Sequence, residues 1–266
     1  MTQRLVLNSR PAKQAKQFSD LLKERKLEVF EFPLLEIVPI EKQAQELLAP
    51  KIGAFKPSDW VLFSSANGVR SSVEIFGVEK LTAKIAAIGH RTASVCREFG
   101  LEASFVSNES NSEAFAKEFI EHAGEDCGEL TLLRGEAASD VLPEALKQSG
   151  FILREFSVYH SICPSYKAEE LERLAKMAGL VDGGKDSILL TFSSSLALKN
   201  FVDLLKGFEE ILDENWLSQL KNQAIAVLGT TTKNYALSEG FNVCLISKEP
   251  TMESFAEGIS EYLGLE

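Results

Sequence analysis

The chain contains the same three strand–turn–helix units twice, in the same order, with small hydroxyl or glycine residues at each turn. The first set reads LVLNSR from Leu5, VLFSSANG from Val61 and IAAIGHRTA from Ile85. The second reads LTLLRG from Leu130, ILLTFSSS from Ile188 and IAVLGTTT from Ile225. A short apolar run, a turn and a period of 3.6 repeated in this way require parallel strands with helical crossovers. The expected fold is therefore α/β: two similar lobes, each a parallel sheet flanked by helices, with a cleft between them.

Strand patterns at 5–7 and 28–32 flank a helical stripe made by Ala12, Ala15, Phe18, Leu21 and Leu22. The design returns as 130–133, a helix near 141–148, and 152–156. Each copy runs into an extended segment closed by proline, at Pro39 and Pro164. Reading those segments, 35–39 and 157–164, as a two-stranded connector gives one lobe of residues 1–34 with 165–266 and another of 40–156. A tandem split near residue 128 is the alternative. Phe63 to Gly89 spans 26 positions and Phe192 to Gly229 spans 37. The excess falls near 206–222 and reads as an added surface helix carrying Trp216.

Composition excludes several functions. A net charge of −11 opposes nonspecific nucleic-acid binding, which needs clustered lysine and arginine. No apolar run approaches the roughly 20 residues that span a bilayer, and the first residues lack a secretory apolar region. The expected location is cytoplasmic, with neither membrane nor nucleic acid as partner. Cys96, Cys127, Cys163 and Cys244 stand singly, which favours free thiols over disulfides or zinc. No dinucleotide fingerprint, phosphate-binding loop, nucleophile elbow or zinc-protease motif is present. What remains is a site without metal or cofactor that positions an anionic substrate.

Open parallel sheets bind ligands beyond the carboxyl ends of their strands. The residues there are Ser9 and Arg10; Ser64 and Ser65; Gly89, His90 and Thr92; Arg134 and Gly135; Ser193 and Ser194; and Gly229 with Thr230, Thr231 and Thr232. Helix starts carry unpaired N–H groups and about half a positive charge, so such turns hold anions without lysine. The same residues also serve as ordinary helix caps. Tyr159, in the second crossing segment, is either a hydrogen-bond donor to a ligand or a half-buried strand residue. His90 is either an acid–base group or an exposed imidazole. Arg10 and Arg134 are open between carboxylate pairing and surface solvation, with Arg91 as a further candidate.

These motifs, in this order over essentially the whole chain, resemble the uroporphyrinogen-III synthase family. The resemblance rests on Ser9-Arg10-Pro11, the FSSANGV run from Phe63, the AIGHRTA run from Ala87, Leu133-Arg134-Gly135, Val158-Tyr159, the FSSS run from Phe192 and the LGTTT run from Leu228. It implies a cofactor-free lyase that closes hydroxymethylbilane with inversion of ring D. Substrate carboxylates would be held by backbone amides at helix starts, and Tyr159 would face the leaving hydroxyl. It also implies a monomer that receives substrate from hydroxymethylbilane synthase. Glu136 to Asp140 departs from the family's usual arginine or glycines at that loop. A non-catalytic two-lobed binding module is the competing reading, and a nucleotide-dependent enzyme a more distant one.

Overall fold

A computed structural model describes residues 5–109, 111–124, 127–180, 188–210, 212 and 214–265. In chain order the strands are β1 (Leu5–Asn8), β2 (Glu28–Glu31), β3 (Glu36–Pro39), β4 (Trp60–Phe63), β5 (Lys84–Ala87), β6 (Ala103–Val106), β7 (Leu130–Gly135), β8 (Leu153–Ile162), β9 (Leu189–Phe192), β10 (Ala224–Val227) and β11 (Asn242–Ile246). The helices are α1 (Ala12–Glu24), α2 (Lys42–Leu48), α3 (Ala66–Phe76), α4 (Gly89–Glu98), α5 (Ser112–Ala123), α6 (Val141–Gln148), α7 (Ala168–Met177), α8 (Ser195–Lys206), α9 (Trp216–Asn222), α10 (Thr230–Ser238) and α11 (Met252–Tyr262). The chain divides into two compact units, Met1–Glu36 with Ile162–Glu266, and Ile37–Ser161.

The first unit is built on a five-stranded sheet of order β11-β10-β9-β1-β2, parallel throughout. Alternation along each strand sends successive side chains to opposite faces. Val6, Leu189 and Ala226 meet Phe18 and Leu22 of α1 and Phe255 and Ile259 of α11. Leu7, Leu190 and Val227 meet Leu174 of α7, Phe201 of α8 and Ala236 of α10. The helix expected on the surface near 206–222 is α9, and it is not superficial. Trp216 and Leu220 are buried in that second core, because an indole and an isobutyl group four residues apart lie on one helical face.

The second unit has the order β3-β8-β7-β4-β5-β6. Without β3, it repeats the first unit's order, β8-β7-β4-β5-β6 matching β2-β1-β9-β10-β11. Pairing from β8 through β6 is parallel. Leu62, Ala86 and Leu132 pack on Phe115 and Phe119 of α5 and Leu146 of α6. Val61, Phe63, Ile85 and Leu133 pack on Val69 of α3 and Val95 and Cys96 of α4. Seven of the phenylalanines, Phe18, Phe63, Phe115, Phe119, Phe192, Phe201 and Phe255, are almost completely buried in these cores.

One expected bound shifts. Residues 152–156 and the following extended segment form one ten-residue strand, β8, since its β-branched and aromatic side chains continue to pair with β7 as far as Gly135↔Tyr159. Helix α4 begins at Gly89, whose φ of +71° lies in the left-handed region that glycine enters without strain.

Burial in the second unit raises the Cys96 thiol from 9.0 to about 11. The unfolded chain ionises this thiol more readily, so its contribution to stability is complete below pH 9 and is lost as pH rises toward 11. Cys96→Ala should therefore flatten the fall in stability between pH 8.5 and 11. Urea titrations at several pH values check this; parallel curves for the two proteins would contradict it.

Candidate active site

In both units the strand order reverses direction once, between β1 and β9 and between β7 and β4. The carboxyl ends of strands flanking such a point form a crevice in open parallel sheets. Ser9, Arg10, Ser193 and Ser194 lie at the ends of β1 and β9, and Ser64, Ser65, Arg134 and Gly135 at those of β4 and β7, whereas the turns at Gly89 and Gly229 follow β5 and β10, one strand further out.

In the first unit, Asn8 ties β1 to α1, its amide donating to the Ala15 carbonyl (3.0 Å) and to Ser19 Oγ (2.9 Å). Ser9 Oγ donates across the reversal point to the Thr191 carbonyl (2.7 Å). Ser194 caps α8, its Oγ accepting from Ala197 N–H (3.2 Å). Ser193 beside it is half-buried. Gly229 stands at the start of α10 with no side-chain cap, and Thr230 and Thr231 are exposed in the first turn while Thr232 is buried. The N–H groups of that first turn have no partner within the helix.

The second unit repeats the plan. Ser65 caps α3, its Oγ accepting from Gly68 N–H (3.1 Å), and Ser64 is half-buried beside it. Helix α4 has no side-chain cap at Ile88, His90 is exposed, and Thr92 is buried. His90 is thus an exposed imidazole on a helix's first turn.

Tyr159 is the one phenol among the candidates, and it stands between the ends of β7 and β4 in the second unit. Its ring lies flat enough on Gly135 that a Cβ there would stand 2.6 Å from Cζ and 2.8 Å from the hydroxyl oxygen. Its hydroxyl reaches Ser65 Oγ at 3.1 Å. The residue is largely buried, with 9% of its surface exposed. By contrast Tyr166 stacks on Phe32 (4.1 Å) and spends its hydroxyl on the Pro33 carbonyl. Burial pushes the Tyr166 phenol well up, consistent with a structural role.

Arg10 and Arg134 are not surface-solvated; they are buried and engaged within their own units. Arg10 donates from Nε to the Gln14 carbonyl (3.3 Å) and from Nη2 to Gln14 Oε1 (3.0 Å). Arg134 donates to Glu155 Oε2 (3.1 Å), the Ala138 carbonyl (2.6 Å) and Asp140 Oδ1 (2.8 Å). Both guanidiniums brace the turns that follow their strands.

Two features escape the sequence reading. His160 Nδ1 meets Glu136 Oε2 at 2.8 Å, and Glu136 N–H donates to the Tyr159 carbonyl (3.1 Å), which fastens the loop after β7 to β8. Ser107 Oγ accepts from Gly89 N–H (3.1 Å). Ser107 and Ser247 follow β6 and β11 equivalently, donating to the carbonyls of Glu109 (2.7 Å) and Glu249 (2.6 Å). The signal was in the text: serine, glutamate, a cap and glutamate recur at 107, 109, 111, 113 and at 247, 249, 251, 253. Among the described residues, no group of three His, Cys, Asp or Glu side chains is placed to hold a metal.

The family model described as uroporphyrinogen-III synthase HemD matches residues 16–257. The chain is 27% identical over 235 residues to the uroporphyrinogen-III synthase of Synechococcus elongatus, covering 85% of this chain and 83% of that protein. Among solved structures, uroporphyrinogen-III synthetase from Helicobacter pylori matches with a TM-score of 0.63 at 18% identity, over 96% of this chain and 97% of that one. A mutant uroporphyrinogen III synthase from Thermus thermophilus matches with 0.60 at 16%, over 99% and 100%. At such identities the structural likeness is one of fold.

Proposed function

Since the chain belongs to the uroporphyrinogen-III synthase family of cyclising lyases, we propose the roles that its own residues take in closing hydroxymethylbilane to uroporphyrinogen III and water. The terminal C–O bond breaks and its electrons leave with oxygen. The oxygen gains one proton and the adjacent pyrrole nitrogen loses one, which leaves an azafulvene and water. The substituted carbon of ring D then attacks, giving a spiro intermediate that fragments and recloses with that ring inverted.

Without enzyme the bilane closes to the unflipped isomer, so catalysis here is positioning. Substrate acetates and propionates are taken up at the first turns of α4 and α10 and at the serine turns before α3 and α8. An acidic protein thereby binds a polyacid through helix termini rather than lysines. Tyr159 donates a hydrogen bond to the departing hydroxyl. One observation carries this reading: a largely buried phenol set against a helix start, at the reversal point of its sheet.

The protein acts as a cytoplasmic monomer, and spontaneous closure of the free bilane favours transient hand-over from hydroxymethylbilane synthase. No helix among the described residues is long and apolar enough to cross a membrane.

Coupled to a bilane synthase, the protein should yield type III product; type I alone would end the proposal. Tyr159→Phe should lower kcat by about tenfold, the worth of one charge-assisted hydrogen bond, and leave melting unchanged. Wild-type kcat would reduce the tyrosine to packing.

A further inference from the structure

We infer that Ser65 is a positioning residue that orients the Tyr159 proton, an inference that rests on the donor role proposed for Tyr159. Three groups stand in series. Gly68 N–H, in the first turn of α3, donates to Ser65 Oγ (3.1 Å), and Ser65 Oγ lies 3.1 Å from the Tyr159 hydroxyl oxygen. A serine hydroxyl has one proton and two lone pairs. With one lone pair taken by Gly68, the Ser65 proton is free to point at the phenol oxygen. The phenol then accepts from serine and keeps its own proton for a ligand. Had the phenol donated to Ser65 instead, its proton would be spent inside the protein, as the Tyr166 proton is spent on a carbonyl.

The series also has a direction. It begins at a helix N-terminus, where backbone dipoles favour negative charge. Each bond polarises the next, so the phenol becomes a stronger donor as the leaving oxygen gains charge. Gly135 completes the alignment by letting the ring lie close over β7.

The other unit isolates the argument. Ser194 caps α8 just as Ser65 caps α3. The chain after β2, however, carries Leu34 and Leu35 where the chain along β8 carries Val158 and Tyr159, so no phenol stands there. The duplicated serine is thus a cap in both units and a proton director in one.

Capping and proton direction separate by substitution, since glycine caps a helix almost as well as serine and alanine does so poorly. Ser65→Gly and Ser65→Ala should lower kcat equally, by about fourfold. Ser65→Thr should recover most of the rate. In a Tyr159→Phe background, Ser65→Gly should cost nothing further. Thermal melts run alongside report the cap alone. If Ser65→Gly turns over like wild type while only Ser65→Ala is slow, the serine is merely a cap and the inference is overturned. An undiminished loss in the Tyr159→Phe background overturns it equally, and so does a slow Ser65→Thr. Failure of the underlying reading looks different: Tyr159→Phe itself would keep wild-type kcat.

Discussion

Gly135→Ala is expected to lower kcat by about a hundredfold, the scale of a misplacement near 1 Å at a reacting centre, while the protein stays folded. The added methyl would stand 2.6 Å from Tyr159 Cζ. Real carbon contacts do not close to that distance, so one partner must move. Gly135 is held in β7 by strand pairing, whereas the ring is the far end of a side chain. The ring therefore swings away, breaking its contact with Ser65 and intruding where substrate must sit. This predicts a larger loss than Tyr159→Phe, which removes one hydrogen bond and leaves the space empty. The double variant Gly135→Ala with Tyr159→Ala should be faster than Gly135→Ala alone, because the small side chain relieves the clash. A Gly135→Ala enzyme with normal kcat would show that the ring tolerates displacement and that its placement has no catalytic meaning.

The largest stability effect should come from Phe119→Ala. Phe119 is completely buried and touches four rings: Trp60 edge-on at 5.2 Å, Phe105 and Phe115 at 5.5 Å, and Phe151 at 6.2 Å. Removing a buried phenyl costs about 3–5 kcal/mol through lost transfer energy and the cavity left behind. In a unit of this size that corresponds to a fall in melting temperature of roughly 10–20 °C. Calorimetry should resolve a displaced transition for the unit that contains α5, with the remainder of the heat absorption near its original temperature. A shift below about 3 °C would mean that the ring cluster collapses to fill the void.

Much of the fold was legible because parallel strands buried on both faces leave a strong mark. Val61-Leu62-Phe63 and Leu189-Leu190 read as strands at sight, and the small polar residues after them read as turns. Trp216 was misplaced because its neighbours, Glu214 and Asn215, are polar, and polarity next to one indole says nothing of the face it turns inward. The rim was legible as a set of residue types. The engagement of its arginines was not, since Gln14, Ala138 and Glu155 become partners only through tertiary placement. The Ser65–Tyr159 contact joins residues 94 positions apart and has no local signature. It follows from β8 lying beside β7, and from the missing side chain at Gly135.

The permuted order of the repeat bears on how the polypeptide reaches its native state during synthesis. Residues 37–161 are contiguous, and their sheet can assemble as soon as β8 leaves the ribosome. The companion sheet must wait: Thr191 donates to the Leu7 carbonyl across 184 positions, so β1 has no central neighbour until β9 is translated. Closing so long a loop is entropically easier when its interior has already condensed into a compact body with nearby ends. An inserted repeat that condenses first would shorten that closure and bring β1 and β9 within reach.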